Sequence, residues 1–368
     1  MERVYNFSPG PAMAPLEVLE TAQREMLNYK GTGMSIMEMS HRSKPFEAMH
    51  NKTIQDLKEV MRIPDNFKIL MMQGGGTLQF ACVPLNLLHD KKKANYLITG
   101  AWSEKSVKEA ERFCTVNVVA DGKSTNYSAV PDPSTWNVDP EGAYFYYAAN
   151  ETMHGVEFEL TEEMLAKIGD MPIVVDTCSN FLSRPIYWSK IVATFAGAPK
   201  NASSGISFVI VREDMLGHAL KITPTQCDWT ICAANNSMYN TPPCFSIYMC
   251  GLYFEWMKRS GGIDVLHAIS RQKAALIYDA VSESNGFYNY AVVPAYRSNM
   301  NVPFFIKNGD KNLEKKFCEE AEKLGLYTLT GHRFVGGIRV SLYNGMPIEG
   351  AAKLAEFMKE FCKKNNNN

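Results

Sequence analysis

The stretch KILMMQGGGTLQFACVPLNLLHDKKKANYLITGAWSEKSVKEAERFCTVNVVA, residues 68–120, reads as three short apolar runs separated by two helical ones. KILMMQ (68–73) stops at Gly74-Gly75-Gly76-Thr77, and an apolar helix follows. NYLIT (95–99) stops at Gly100, and WSEKSVKEAERF continues as a helix. TVNVVA (115–120) is the third run. Buried runs alternating with helices predict an α/β sheet, mainly parallel and covered on both faces.

Outward from this stretch, further strands are expected at AYFYYA (143–148), PIVVD (172–176), VATFAG (192–197) and SFVIVR (207–212). The last two are too close for a helical crossover, so they are expected to pair antiparallel. Upstream, Pro15 can open a helix at its first position, with Leu16, Leu19, Ala22 and Met26 on one face. A second helix is expected after Pro45, with Phe46, Met49, Leu57, Val60 and Met61 inward. Beyond about residue 260 the texture changes. A long helix, the run MNVPFFI, the helix LEKKFCEEAEKLGL, the strand GIRVSLY and a last helix predict a compact α+β unit. The expected division is a large α/β domain over 16–260 and a small α+β domain from 1–15 with 261–368, hinged near Arg259-Ser260-Gly261-Gly262. The tail Asn365–Asn368 is low-complexity and expected to fray.

The chain has 368 residues, 46% hydrophobic and 21% charged, enough for one large core and a smaller one. A formal net charge of -1 offers no electrostatic case for nucleic acid or an anionic membrane as partner. No run reaches the ~18 apolar residues of a membrane span, and the N-terminus lacks the apolar segment of a signal peptide. The nine cysteines are an odd number with no C-x-x-C pair. Neither a disulfide framework nor a structural metal site is expected, and a reducing cytoplasm fits best.

Ligands of open α/β sheets sit beyond the carboxyl ends of the strands. There this chain places Gly74-Gly75-Gly76-Thr77, Gly100-Ala101-Trp102, Asn150-Glu151-Thr152, Asp176 and Lys200. The triple glycine opens a helix, where backbone N–H groups and the helix dipole favour an anion such as phosphate. Taken alone it is a tight turn, and it lacks the P-loop spacing. Asp176 alone is a helix cap or loop acid, or else the partner of a protonated ring nitrogen. Trp102 alone is core, or else a flat face for stacking. Lys200, in AGAPKNASSG (196–205), sits among small residues; alone it is a solvated lysine, but buried it becomes an amine able to attack a carbonyl. Together these are the parts that hold pyridoxal 5′-phosphate: a phosphate cup, a stacking face, an acid for the pyridinium and a lysine for the aldehyde.

The segments NFSPGPAMAP, GTGMSIMEMSHRSKPF, QGGGTLQFACVPLNLL, TGAWSEKSVKEA, NETMHGVEF, SNFLSRPI, SMYNTPPCFSIY, RSNMNVPF and GHRFVGGIRVSLYNGMPIEG run over essentially the whole chain. With them the sequence resembles the phosphoserine aminotransferases, class V members of the fold-type I pyridoxal-phosphate enzymes. The resemblance implies a fold-type I transferase, with a large, mainly parallel sheet of the seven-stranded type beside a smaller α+β domain. It implies Lys200 as the lysine joined to the cofactor and Asp176 as the pyridinium partner. Trp102 would stack on the ring, Thr152 would bond near the ring hydroxyl, and Gly76 and Thr77 would bind the cofactor phosphate. Asn240 and Thr241 would reach that phosphate from the second subunit of a homodimer. His41, Arg42, His332 and Arg333 match the substrate-phosphate pocket, and Arg339 matches the α-carboxylate clamp.

Physical chemistry supports the last group. Two separated His-Arg pairs suit a dianionic phosphate. Arg339 alternates with Ile338 and Val340 in a strand and so points away from them. The implied activity is amino transfer from L-glutamate to 3-phosphohydroxypyruvate, with ping-pong kinetics. The rivals are an alanine–glyoxylate type aminotransferase, a cysteine desulfurase or a non-catalytic binding protein of the same fold. One departure stands out. The family usually has Gln-Lys where this chain has Pro199-Lys200, and proline has neither a side-chain donor nor an N–H. The following NASSGISF also looks shorter than usual and lacks the family's glycine-proline turn; Ser203, Ser204 or a water are the substitutes open for the glutamine.

Overall fold

The structure is a computed structural model that describes residues 3–366. Met1 and Glu2, and Asn367 and Asn368 of the tail, lie outside the described residues. The chain runs through β1 (Tyr5–Asn6), α1 (Leu16–Glu25), α2 (Lys44–Met61), β2 (Phe67–Met72), α3 (Gly75–Leu87), β3 (Lys93–Ile98), α4 (Ala101–Ala110), β4 (Thr115–Asp121) and β5 (Phe145–Ala148). It continues with α5 (Glu162–Ile168), β6 (Ile173–Asp176), β7 (Ala193–Gly197), β8 (Ser207–Arg212), α6 (Trp229–Ala234), α7 (Cys244–Arg259) and α8 (Gly262–Ser282). The last elements are β9 (Tyr288–Tyr290), β10 (Asn301–Ile306), α9 (Lys311–Lys323), β11 (Leu326–Tyr327), β12 (Ile338–Ser341) and α10 (Ile348–Asn365).

Seven strands form the main sheet in the order β2-β8-β7-β6-β5-β3-β4. The pairs β4-β3, β3-β5, β5-β6 and β6-β7 are parallel, while β8 runs antiparallel to both β7 and β2. All seven expected strands are present, and so is the antiparallel β7-β8 pair. Both faces are buried, as a parallel sheet requires. Phe145, Val175 and Ile210 turn into one core, and Tyr146, Val174 and Val209 into the other. The strand order reverses at β3, because β4 lies on one side of it and β5 on the other. Such a reversal opens a crevice at the carboxyl ends of the strands.

A third core gathers Phe7 and Met13 with residues of α8, α9, α10, β10 and β12. Its three-stranded sheet has the order β12-β10-β9, all antiparallel. The short parallel pair β1-β11 brings the first described residues alongside this core. Helix α8 spans two cores: Ile263 and Leu266 pack in the first, and Ala274, Ile277 and Val281 in the third.

Three local expectations are corrected. Helix α1 buries Val18 and Ala22, whereas Leu16 and Leu19 are exposed, because α1 rests on α7 by the Val18 side. Pro15 is the cap before α1 and not its first helical residue. Asn365 does not fray: α10 runs through it, its side chain is buried, and Lys316 Nζ donates to its Oδ1 at 2.7 Å. Helix α2 buries the five residues expected, with Pro45 in its first turn.

Helix α7 carries Phe254, fully buried, with its ring 5.7 Å from that of Phe208 on β8. Truncating it leaves a cavity between helix and sheet. Phe254→Ala is expected to lower unfolding stability by about 3–5 kcal/mol, measured by denaturant titration.

Candidate active site

The turns that follow β2, β3, β5, β6 and β7 converge on one cavity of about 300 Å³, closed on the other side by Pro9, Gly10, His332 and Arg339. Of the residues singled out in the sequence, the cavity wall holds Gly76, Thr77, Trp102, Thr152, Asp176, Lys200, His332 and Arg339.

Gly75, Gly76 and Thr77 form the first turn of α3. No described residue accepts a hydrogen bond from their N–H groups, so this helix start presents its donors and its dipole to an anion. Glycine is required here by close approach. A Cβ on Gly197 would lie 3.0 Å from Gly76 N, and one on Gly76 would lie 2.7 Å from Cys178 Sγ.

Asp176 closes β6 and is 5% exposed. Cys178 N donates to its Oδ1 at 2.8 Å, and the Tyr146 hydroxyl lies 3.4 Å from its Oδ2. Burial pushes this carboxyl above the usual range; hydrogen bonds from Cys178 and the charge of Lys200 oppose that shift. Lys200 follows β7 and its Nζ donates to Thr152 Oγ1 at 2.8 Å. Burial lowers its pKa, while Cys178, Asp176 and Glu151 raise it and Arg339 adds to the lowering. The net direction is toward the neutral, nucleophilic amine. The space for this side chain is partly made by Gly10, whose Cβ would sit 3.4 Å from Lys200 Cγ.

Trp102, the second residue of α4, packs near Phe80, and its buried Nε1 has no partner among the described residues. Lys200 Nζ is 5.9 Å from its ring centroid. Arg339 lies on β12 with Ile338 and Val340 turned into the third core, as the alternation requires. Its side chain is 8% exposed and its Nε is unpartnered among the described residues. His332 has its pKa lowered by burial first, then by Arg339, Lys105 and Arg333. His332 and Arg339 thus make one end of the cavity wall cationic, with Lys105 and Arg333 close enough to act on His332.

His41, Arg42, Arg333, Asn240 and Thr241 are not part of the cavity wall. His41 and Arg42 occupy the loop before α2, and Arg42 is exposed. Arg333 is exposed and stacks over Phe334 at 4.6 Å. Asn240 borders a separate small depression with Gln73 and Tyr239, and Thr241 beside it is exposed. Pro199 lines the cavity and its carbonyl accepts from Ala12 N at 2.9 Å. Neither Ser203 nor Ser204 reaches the wall, so neither replaces a glutamine there.

The sequence reading missed Lys105, whose Nζ stands 4.3 Å from the Trp102 ring. Its i,i+3 spacing from Trp102 on α4 was the available signal. It also missed Cys178. This thiol accepts from Gly197 N at 3.1 Å and holds the turns after β6 and β7 together; nothing in the local pattern marks it.

A planar phosphorylated pyridine aldehyde fits this donor set: N–H groups at the start of α3 with no acceptor among the described residues, an unpartnered indole at the wall, a buried acid and a half-buried amine. Among the described residues, no group of three or more His, Cys, Asp or Glu is placed to hold a metal ion. The profile of the aminotransferase class-V family matches residues 4–354, and the chain belongs to that family. Within it, the chain is similar to proteins named phosphoserine aminotransferase. The one from Drosophila melanogaster is 48% identical over 367 residues, covering 99% of this chain and 100% of that protein. The solved structure of the one from Bacillus circulans subsp. alkalophilus superposes with a TM-score of 0.94 at 40% identity, covering 99% of each chain. The one from Trichomonas vaginalis, solved with PLP bound, superposes with a TM-score of 0.92 at 40% identity, covering 97% of this chain and 100% of that one.

The raised Asp176 pKa has a stability consequence. The folded state binds this proton more tightly than the unfolded state, so its contribution is complete below the unfolded pKa and is lost as pH rises through the folded pKa. Asp176→Asn is therefore expected to melt at a higher temperature than wild type at neutral pH, without cofactor. The difference should shrink as pH falls toward about 4, in thermal melts of the two apoproteins.

Proposed function

We propose that this chain transfers the amino group of L-glutamate to 3-phosphohydroxypyruvate, giving O-phospho-L-serine and 2-oxoglutarate, with pyridoxal 5′-phosphate as cofactor. The observation that carries the proposal is the half-buried Lys200 amine, on the wall of the same cavity as Asp176, His332 and Arg339. When bound, the cofactor supplies an electron sink for the charge left on the substrate's Cα. Lys200 Nζ would take the proton from that Cα and pass it to the cofactor's former aldehyde carbon, and the reverse shift in the second half-reaction would place a proton on the Cα of the product. Asp176 keeps a proton on the ring nitrogen, and Thr152 orients Lys200 and the ring hydroxyl. Trp102 stacks on the ring; Gly76 and Thr77 hold the phosphate by backbone and hydroxyl donors.

Arg339 clamps the α-carboxylate common to both substrates. His41, Arg42, His332 and Arg333 take the substrate phosphate in one half-reaction and the glutamate side-chain carboxylate in the other. Asn240 and Thr241 serve the cofactor phosphate of a second copy, in a homodimer; their exposure outside their own cavity supports this. The division into 16–260 and 1–15 with 261–368 is proposed as two lobes hinged at Gly261-Gly262. A cytoplasmic location is supported by nine cysteines that are all unpaired and by the absence, among the described residues, of a helix long and apolar enough to cross a membrane. A desulfurase is disfavoured by Cys178, the one cysteine on the cavity wall, whose pKa burial pushes well up, away from a thiolate nucleophile.

Turnover is expected with phosphohydroxypyruvate and glutamate in a ping-pong pattern; equal or better turnover with glyoxylate or pyruvate would assign the chain to the alanine–glyoxylate type. Lys200→Ala is expected to lose at least about 10⁴-fold in kcat. Arg339→Ala should raise KM for both substrates about 10- to 100-fold, the worth of a charged hydrogen-bonding pair. Pro199→Gln should restore a phosphate donor and slow cofactor loss on dialysis about 5- to 10-fold.

A further inference from the structure

Two helices begin at this crevice, α3 and α4, and either start would suit a phosphate. They differ in what meets their first N–H groups. At α3 no described residue does so. At α4 every one of the first three is taken by the loop after β5. Ala101 N lies 3.4 Å from His154 Nδ1, Trp102 N donates to Glu151 Oε2 at 3.0 Å, and Ser103 N donates to Glu151 Oε1 at 2.8 Å. Ser103 Oγ donates a third bond to the Glu151 carboxylate, at Oε1 and 2.6 Å.

Glu151 itself is fully buried. Its carboxylate lies against the helix cap, Gly100. A Cβ there would meet Glu151 Cδ at 2.4 Å and its Cγ and Oε2 at 2.6 Å, so residue 100 has no room for a side chain. The cap has no side chain of its own, and a carboxylate from another segment stands in for one. The neighbour of Glu151 is Thr152, which accepts from Lys200 Nζ. One short loop thus grips the indole-bearing helix with one side chain and the lysine with the next.

Resting on the proposed reading of this site, we infer that Glu151 is a positioning residue for the cofactor. Its carboxylate fills the start of α4 and so leaves α3 as the phosphate site. It also fixes Trp102 at the height where the indole stacks on the pyridine ring. Glu151 acts through Trp102 and touches neither substrate nor cofactor. Burial pushes its own acid up, and the bonds from Ser103 and Trp102 oppose that, as expected of a carboxylate held by donors in a dry site.

The test is titration of apoprotein with pyridoxamine 5′-phosphate, which has no aldehyde, so its binding does not depend on bond formation with Lys200. Indole fluorescence is followed, with Trp102→Phe as the blank for the other tryptophans. Wild type should bind with quenching. Glu151→Gln replaces one acceptor oxygen by an amide that faces a backbone N–H, and Gly100→Ala pushes the carboxylate aside from the opposite direction. Both should weaken binding about 10-fold and lose most of the Trp102-specific quenching. A merely structural role would lower their melting temperatures yet leave affinity and quenching at the wild-type values, and that result overturns the inference. Absence of binding by wild type overturns the proposed function instead. Should neither variant fold, hydrogen exchange on the wild-type apoprotein decides. Slow exchange at Trp102 and Ser103 with fast exchange at Gly75–Thr77, reversed for α3 alone when pyridoxamine phosphate is added, supports the inference. Equal exchange at the two helix starts overturns it.

Discussion

Two ionisable groups drawn back from bulk water govern this molecule: the buried carboxyl of Asp176 and the half-buried amine of Lys200, at the carboxyl ends of neighbouring parallel strands. Either one alone in such a place would be expelled or neutralised. Together, with Cys178 and Thr152 as hydrogen-bond partners, they tolerate burial at the cost of shifted protonation equilibria. The lowered lysine is a nucleophile, and the Asp176 carboxyl becomes the negative partner of a ring nitrogen once that cation is beside it. The parallel register is the constraint that makes this possible. Asp176 pairs with Phe195 across β6 and β7, so the turns leaving both strands rise on the same side of the sheet.

Around that pair the backbone is brought unusually close. Gly76 and Gly197 touch where Cβ atoms would collide, and Gly100 touches the carboxylate of Glu151. The glycines therefore act by absence of a side chain more than by freedom of rotation. They let helix starts approach strand ends until N–H groups and acids share one crevice. The Cys178 thiol, between Gly197 N and Asp176, belongs to the same arrangement.

The third core supplies Arg339 and His332, and buried polar bonds tie it to the sheet. Asn150 Nδ2 donates to Asn301 Oδ1 at 2.9 Å, Asn301 Nδ2 donates to the Tyr343 hydroxyl at 3.1 Å, and Asn344 N donates to Asn201 Oδ1 at 2.8 Å, next to Lys200. Such bonds are strong only when geometry is met, so they register the guanidinium against the lysine loop in a way that apolar packing alone would not.

Much of this was legible in one dimension. Period-two and period-3.6 patterns, with glycines at the joints, determined the alternation of strands and helices, both sheet-covering layers and the antiparallel β7-β8 pair, because those features follow from local sterics and from loop length. Arg339 was readable for the same reason: a strand turns alternate residues to opposite faces. The local pattern around Leu16 and Leu19 misled, since an apolar stripe says nothing about which side a neighbouring helix will cover. Glu151 gained its role only from segments distant in sequence that meet at the switch between β3 and β5, and Cys178 from the meeting of the chain after β6 with the end of β7. The sequence by itself determined which groups exist and on which elements they ride. The tertiary structure alone decided which of them lose water together, and hence which carboxylate caps a helix, which stays free for a ring nitrogen, and which lysine gives up its charge.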